Sequence, residues 1–363
     1  MLNRRRLRCG APQRAVLARH ARWLVACVAA GLAAACGTPA PAPAPARTPP
    51  AVASPAVPPA GGRVLGRSER FVVYQPAAGD TLRSIAARFL GSESRDWIVG
   101  DFNAVAQAEA DRPLVVPLKP INPLGVYADQ YQTVPILCYH RFGNGGGKMI
   151  VSAANFAAQL DWLARNDYHV IRLSQLVGFL EGRQAVPKRS VVITMDDGYE
   201  SVHRVALPLL RKYGFPATLF VYSDFIGAGD ALSWAQLQEL VASGLVDVQA
   251  HSKTHRNLIE REAGDPDERY RQMLDTEVRA PRETLERRLP VQVRHYAFPY
   301  GDANQALLDV LARQRYQLGL TVNPGGNGFF AQPLMLRRTM IYGDQDLGAF
   351  KLKLQIVRGV PFP

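Results

Sequence analysis

From Tyr131 onward the chain repeats one pattern: a short apolar run, then a stretch with helical spacing, then another apolar run. The strand candidates are Pro135–Tyr139, His169–Ile171, Ser190–Met195, Ala217–Val221, Val246–Ala250, Val293–Phe298 and Gln317–Val322. Helical patterns separate them: Ser152–Asn166, Ser174–Glu181, Tyr199–Tyr213, Ser233–Ser243, a long charged stretch over 267–289, and 303–314. This alternation predicts an α/β fold, a parallel sheet or a barrel. In such barrels chemistry gathers where strands hand over to the following loops.

The residues at those strand ends are polar and few. His140 follows ILCY, Asp196-Asp197-Gly198 follow VVITM, His251 and His255 follow VDVQA in HSKTH, and Pro299-Tyr300-Gly301 follow YAF. An Asp-Asp-Gly alone is usually a turn, and two histidines four apart are a weak signal alone; the combination at four strand ends is the observation. Neighbours on extended backbone point to different sides, so Asp196 and Asp197 can take different jobs. His251 and His255 share a face if their segment makes a helical turn, and with one carboxylate they form a two-His-one-Asp shell for a metal ion. Such an ion acidifies water and polarises a carbonyl. The second carboxylate then serves as general base, and His140, from another strand, as the acid for a leaving group. That is equipment for metal-assisted hydrolysis of an amide or ester. Rival patterns fail. Ser252 stands where the HExxH metalloproteases need Glu, GNGGGKM (143–149) places Met149 where a phosphate loop needs Ser or Thr, and no GxSxG elbow is present. The GNGGGKM segment reads instead as a loop beside His140. A two-His-one-carboxylate set also serves non-haem iron oxygenases, but those usually sit on all-β double sheets.

In TMDDG, HSKTH and FPYG, taken in order, the chain resembles the polysaccharide deacetylase family (carbohydrate esterase family 4, the NodB-homology domain). The resemblance implies a distorted, incomplete (β/α) barrel over 131–350 and removal of N-acetyl groups from N-acetylglucosamine-containing polysaccharide with a divalent ion, zinc foremost. Carried over, Asp196 is the base, Asp197, His251 and His255 are the metal ligands, and the Tyr300 backbone N–H helps hold the oxyanion. Pro299 beside it is assigned to substrate binding. Trp234, which follows the helix cap Ser233, is a second candidate for the substrate groove, with core packing its alternative. Two departures matter. Ala297 occupies the place of the arginine that usually orients the base, and the C-terminal stretch Leu318-Gly319-Leu320-Thr321 lacks the usual acid histidine. One branch of the family, including deacetylases of the exopolysaccharide poly-β-1,6-N-acetylglucosamine, lacks that arginine and places Tyr-His on the first strand, as Tyr139-His140 does here. This favours poly-N-acetylglucosamine as substrate and His140 as acid, with a peptidoglycan N-deacetylase as the alternative. An inactive cell-envelope glycan-binding protein is the rival of another class. Cys138 reads as a buried strand residue; His169, His203 and His295 read as structural or solvated.

Before this domain, residues 70–120 show a smaller α+β pattern. A short strand leads to Gly79-Asp80-Thr81-Leu82, a helix with Leu82, Ile85, Ala86 and Phe89 on one face follows, then a helix from Trp97 to Asn103 and a strand at Leu114–Pro117. The layout resembles a LysM domain, a module that binds N-acetylglucosamine-containing glycans. Phe89 and Trp97 are expected in its core.

The first residues form a different kind of segment. Seven arginines precede the 13-residue apolar run Trp23–Ala35, too short for a ~20-residue membrane span but suited to an export signal. The run ends LAAAC, which resembles a lipoprotein cleavage site with Cys36 as the lipidated residue. Residues 37–69 hold an Ala/Pro-rich linker, extended and without a core. The expectation is an exported protein on the periplasmic side of a bacterial membrane, an outer-membrane lipoprotein held through a lipid anchor. Composition acquires its meaning here. Of 43 Lys+Arg, seven lie before Cys36 with none of the 31 Asp+Glu, so removal of this segment lowers the net charge from +12 to +5. The basic balance therefore does not call for nucleic acid as a partner.

Overall fold

The structure, a computed structural model, describes residues 61–261 and 263–359. The export signal, the lipidation candidate Cys36 and the linker up to residue 60 lie outside the described residues.

The first part contains β1 (Arg63–Arg67), β2 (Phe71–Gln75), α1 (Leu82–Leu90), α2 (Asp96–Asn103) and β3 (Leu114–Pro117). The strands form an antiparallel sheet in the order β1-β2-β3. Thr81 starts α1 through a reciprocal capping box with Ser84, and Gly91, at φ 78°, ends it by donating to Ala87 O. Both ends of the Asn103 side-chain amide tie α2 to β3: Nδ2 donates to Val115 O (2.7 Å) and Oδ1 accepts from Val115 N–H (2.9 Å). Val72, Tyr74, Ile85, Ala86, Leu90, Val99, Leu114 and Val116 make the core, with Phe89 packed against it. Trp97, expected in this core, is half-buried and faces a cavity described below. Strand β1 lies in the stretch that composition assigned to the linker. Its Val64 and Leu65 are exposed, so backbone pairing with β2 makes this strand rather than burial, and hydropathy carries no trace of it.

The larger part runs β4 (Gln130–Gln132), β5 (Val134–Tyr139), β6 (Arg141–Phe142), β7 (Ile150–Val151), α3 (Ala153–Arg165), β8 (His169–Val170), α4 (Gln175–Leu180) and β9 (Ser190–Met195). It continues with α5 (Leu207–Tyr213), β10 (Ala217–Val221), α6 (Trp234–Ala242), β11 (Val246–Ala250), α7 (Asp267–Arg288), β12 (His295–Ala297) and α8 (Gln305–Arg313). It ends with β13 (Leu318–Leu320), β14 (Gly326–Asn327), β15 (Thr339–Met340), α9 (Leu347–Leu352) and β16 (Val357–Gly359). The helix expected over Tyr199–Tyr213 is split: a π-helical turn over Val202–Ala206 precedes α5, whose second residue is Pro208. Proline has no N–H for the regular ladder, and Leu207 N–H reaches back five residues to Val202 O.

Strands β5, β9, β10, β11, β12 and β13 lie side by side and parallel. Alternate residues face opposite sides. Leu137, Tyr139, Val191, Ile193, Leu219, Val248 and Tyr296 pack under the helices, while Ile136, Val192, Phe220, Ala297, Leu318 and Leu320 form a second cluster on the inner face of the curled sheet. Each fully buried side chain of this type is worth ~1.5–3 kcal/mol. The register aligns the strand ends: Tyr139 opposite Met195, Leu219 opposite Met195, Val221 opposite Ala250, and Ala250 opposite Tyr296. His140, Asp196 and His251 each follow one of these aligned residues and so emerge at one end of the sheet. This is the incomplete barrel that the family resemblance implied, within the α/β fold that the alternation predicted.

Among the segments with no counterpart in the sequence pattern, one bears directly on the site. Leu336–Met340 lies between the sheet's two edges, bridging Leu320 through Leu336 and pairing Thr339 and Met340 with Leu137 and Cys138. It carries Arg338, which is 0% exposed, into the inner face.

Candidate active site

The TMDDG turn builds the site's centre. Asp196 N–H donates to Tyr139 O (2.9 Å), and the chain then turns through two left-handed residues, Asp197 (φ 73°) and Gly198 (φ 89°). A Cβ on Gly198 would stand 2.9 Å from Val221 Cγ1, so the turn needs glycine there. The two carboxylates take different surroundings, through this left-handed turn at Asp197 rather than through the extended backbone that the sequence argument assumed.

Asp196 is 2% exposed and is gripped by Arg338 at two points, Nη1 to Oδ1 at 2.7 Å and Nη2 to Oδ2 at 2.8 Å. Arg338 Nε donates to Thr321 O (2.9 Å) and Nη1 to Thr194 Oγ1 (3.3 Å), which fixes the guanidinium plane. The Cys138 thiol donates to Asp196 Oδ2 (3.4 Å). Cys138 is thus the buried strand residue expected, with a contact to Asp196 in addition. Burial opposes a charge on Asp196, but Arg338 and His251 outweigh it and hold the carboxyl below its ordinary range.

Asp197 faces the other way, toward His251 and His255. A ligand atom from each of the three residues lies within 4.8 Å of the others. His255 Nε2 is 3.1 Å and His251 Nε2 3.5 Å from Asp197 Oδ1, yet that buried oxygen has no hydrogen-bond partner. Three metal-ligating side chains with their ligand atoms this close together are the donor set that a single cation takes. His251 Nδ1–H donates to Ala297 O (2.8 Å), which leaves the Nε2 lone pair free for a ligand bond. These residues therefore fit a divalent cation. Burial also opposes charge on Asp197, and the two histidines overcome it, pushing its pKa far down. Ala297, the residue at the place of the missing arginine, acts through its backbone carbonyl.

His140 lines the same cavity with its Nδ1 buried and unpartnered. Burial lowers its pKa, while Asp196 and Asp197 pull the other way. Tyr300 sits in the PYG turn at φ 61°, the residue 60% exposed and its ring 5.0 Å from the His255 ring. Gly301 follows at φ 80°, where a Cβ would stand 2.7 Å from Val322 N. The cavity is about 300 Å³ and also includes Arg141, Met149, Tyr199, Phe298 and Met340. A larger cavity of about 750 Å³, among α2, the connector before β4 and residues 183–188, contains no histidine and one carboxylate, Asp101.

The structure thus brings Asp196, Asp197, His251, His255, His140 and Tyr300 together. Two candidates lie elsewhere. Pro299 is buried inside its turn and does not line the cavity. Trp234 packs partly buried against the main core with the Arg288 guanidinium 4.7 Å above its ring, the packing alternative named for it. His169 is exposed, His203 bonds Glu239 (2.7 Å), and His295 is 3% exposed on β12. Arg338 is the residue that sequence reading missed. The one signal for it is Arg337-Arg338 set between the apolar pairs Met335-Leu336 and Met340-Ile341.

Residues 183–319 match the family described as Polysaccharide deacetylase. Over these residues the chain is similar to polysaccharide deacetylases. The protein YxkH of Bacillus subtilis (strain 168) is 28% identical over 192 residues, covering 53% of this chain and 65% of the relative. The poly-beta-1,6-N-acetyl-D-glucosamine N-deacetylase of Staphylococcus epidermidis (strain RP62A) is 27% identical over 177 residues, 47% of this chain and 61% of that protein. The chain thus spans somewhat under two thirds of these relatives. Among solved structures, IcaB from Ammonifex degensii superposes with a TM-score of 0.53 at 28% identity, covering 58% of this chain and 92% of that one.

Proposed function

We propose that this chain is a metal-dependent polysaccharide N-deacetylase acting on N-acetylglucosamine-containing polysaccharide, with poly-β-1,6-N-acetylglucosamine as the favoured substrate. The observation that carries the reading is the division of labour between adjacent carboxylates: Asp196 held ionised by Arg338, Asp197 turned to two histidines. Asp197, His251 and His255 would hold a divalent ion, zinc foremost. When bound, the ion supplies Lewis acidity toward the acetamide carbonyl and toward water.

The chain's own groups account for the rest. Asp196 takes a proton from water as its oxygen bonds to the acetamide carbon. The Tyr300 backbone N–H donates to the developing oxyanion. His140 gives a proton to the sugar nitrogen as the C–N bond breaks, and acetate and a free amine result. Its proton must be present at that moment; the two anionic carboxylates favour it, while burial outweighs them and leaves its pKa below the ordinary histidine value. An inactive glycan-binding role would leave the buried, arginine-paired Asp196 beside the Asp197, His251 and His255 cluster without a purpose.

The β-1,6 linkage is supported by the Tyr139-His140 placement and by the named activity of the Staphylococcus epidermidis relative. A peptidoglycan substrate is the second reading, supported by the strand–helix–helix–strand order of β2, α1, α2 and β3, which resembles a LysM module. Export, lipidation at Cys36 and a periplasmic, outer-membrane site belong to the same proposal and rest on the N-terminal sequence. Acetate release from β-1,6 oligomers, β-1,4 oligomers and peptidoglycan, with metal content measured alongside, tests the reading. Release from none of them overturns it. So does an Asp196→Asn variant that keeps its metal and releases acetate as fast as the parent.

A further inference from the structure

The HSKTH loop is held from outside by a residue that no motif names. Glu277 lies on α7, 4% exposed, on the helix face that also buries Leu274, Val278 and Pro281. Its carboxylate accepts three hydrogen bonds from two consecutive residues of that loop. Oε2 accepts Lys253 N–H (2.9 Å) and Thr254 N–H (3.0 Å), and Oε1 accepts the Thr254 hydroxyl (2.8 Å). The Lys253 ammonium turns away to Asp224 (2.5 Å), so its contribution to Glu277 is the backbone N–H alone. Three donors converge on a group that only accepts, which glutamate satisfies completely and glutamine does not.

The loop needs such a hold. Ser252 (φ 75°) and His255 (φ 62°) both adopt the left-handed conformation that side-chain-bearing residues avoid. His251 is already pinned by the Ala297 carbonyl, and Ser252 Oγ accepts His255 N–H (2.8 Å). What remains is the path of Lys253 and Thr254, which must return His255 to within 3.1 Å of Asp197. Glu277 binds that path from a helix anchored in the core.

We infer that Glu277 is a positioning residue for the metal ligands: it orders residues 252–255 in advance, so that His255 meets the ion together with His251 and Asp197. The inference rests on the metal reading above and adds a residue to it. A ligand loop ordered beforehand spends none of the binding energy on its own ordering. Loss of Glu277 therefore weakens metal affinity while the loaded site keeps its chemistry.

The test is metal binding rather than activity alone. The full chain is stripped with chelator and titrated with Zn²⁺ and, separately, Co²⁺. Glu277→Ala is expected to raise the metal Kd about 10–100-fold, in the range of lost outer-sphere partners. Glu277→Gln, whose oxygen still accepts the two N–H groups, and Thr254→Val, which loses only the hydroxyl bond, raise it less. The Co²⁺ Kd rises in parallel with the Zn²⁺ Kd, and the visible spectrum of the Co²⁺-saturated Glu277→Ala protein stays like the parent's, as an unchanged loaded site requires. If Glu277→Ala does not fold, Glu277→Gln and Thr254→Val carry the test. A variant that melts like the parent in chelator and binds Zn²⁺ with the parental Kd overturns the inference alone. A parent that binds no divalent ion overturns the metal reading and this inference with it.

Discussion

Replacing Arg338 separates two roles that the structure gives one guanidinium: keeping Asp196 ionised and holding its plane. Arg338 is 0% exposed and Asp196 2%, so Arg338→Met leaves a buried carboxylate without its cation. Breaking such a pair costs ~3–5 kcal/mol, a large share of the ~5–15 kcal/mol that holds a domain folded. A lower Tm is expected. The effect on chemistry has a definite sign. With the guanidinium gone, burial, which already opposes the charge, dominates and raises the Asp196 pKa. A base works only when ionised, so the acid limb of the pH profile of kcat/KM moves to higher pH. Near neutrality the rate falls by about 10²-fold, within the ~10²–10⁴ that a positioned base contributes. Arg338→Lys keeps the charge but replaces a planar fork by a single ammonium. It is expected to leave the acid limb where it was and to lose roughly tenfold in kcat, about 1.4 kcal/mol of orientation. The assay is acetate release from N-acetylglucosamine oligomers between pH 4 and 9, with thermal melts on the same samples. An Arg338→Met enzyme with the parental kcat/KM and an unmoved acid limb would refute the assignment.

Two further predictions concern histidines in opposite roles. If His140 is the acid, activity is lost as pH rises through its pKa, which burial places below the ordinary histidine value; His140→Asn should lower kcat by ~10²–10⁴ and remove that alkaline limb, and a variant that keeps the limb excludes His140. His295, buried on β12, has its pKa lowered to about 4 by burial, so the unfolded chain binds a proton that the folded chain refuses below the unfolded value of about 6.5. Stability is complete above that value and declines as pH falls toward 4, by about 2 kcal/mol between pH 7 and 5. His295→Gln should flatten this part of the Tm profile, and an equally steep profile in the variant assigns the decline to other groups.

Much of the site was legible because parallel strands make it so. In a curled parallel sheet each strand end emerges on the same side, so residues that follow apolar runs in sequence meet in space. His140, Asp196-Asp197 and His251 could be collected from strand ends with no knowledge of curvature. The helices from Ser152 to residue 314 were legible for a similar local reason, their caps and apolar spacing. The split over 202–213 was not, since a π-turn leaves apolar spacing nearly unchanged. Strand β1 escaped because an exposed strand is made by pairing with a distant partner.

The amino-acid order by itself determined the α/β alternation, the two-carboxylate, two-histidine chemistry and the deacetylase resemblance, since these rest on spacing within short segments. Tertiary structure alone decided what orients that chemistry. Arg338 reaches Asp196 across 142 positions and Glu277 reaches Thr254 across 23, each from an element whose local pattern carries no mark of the contact. The physical reason is that a hydrogen bond between distant segments depends on how the sheet closes and how α7 lies on it. Those are set by the packing of the whole core, and no window of neighbouring residues contains them.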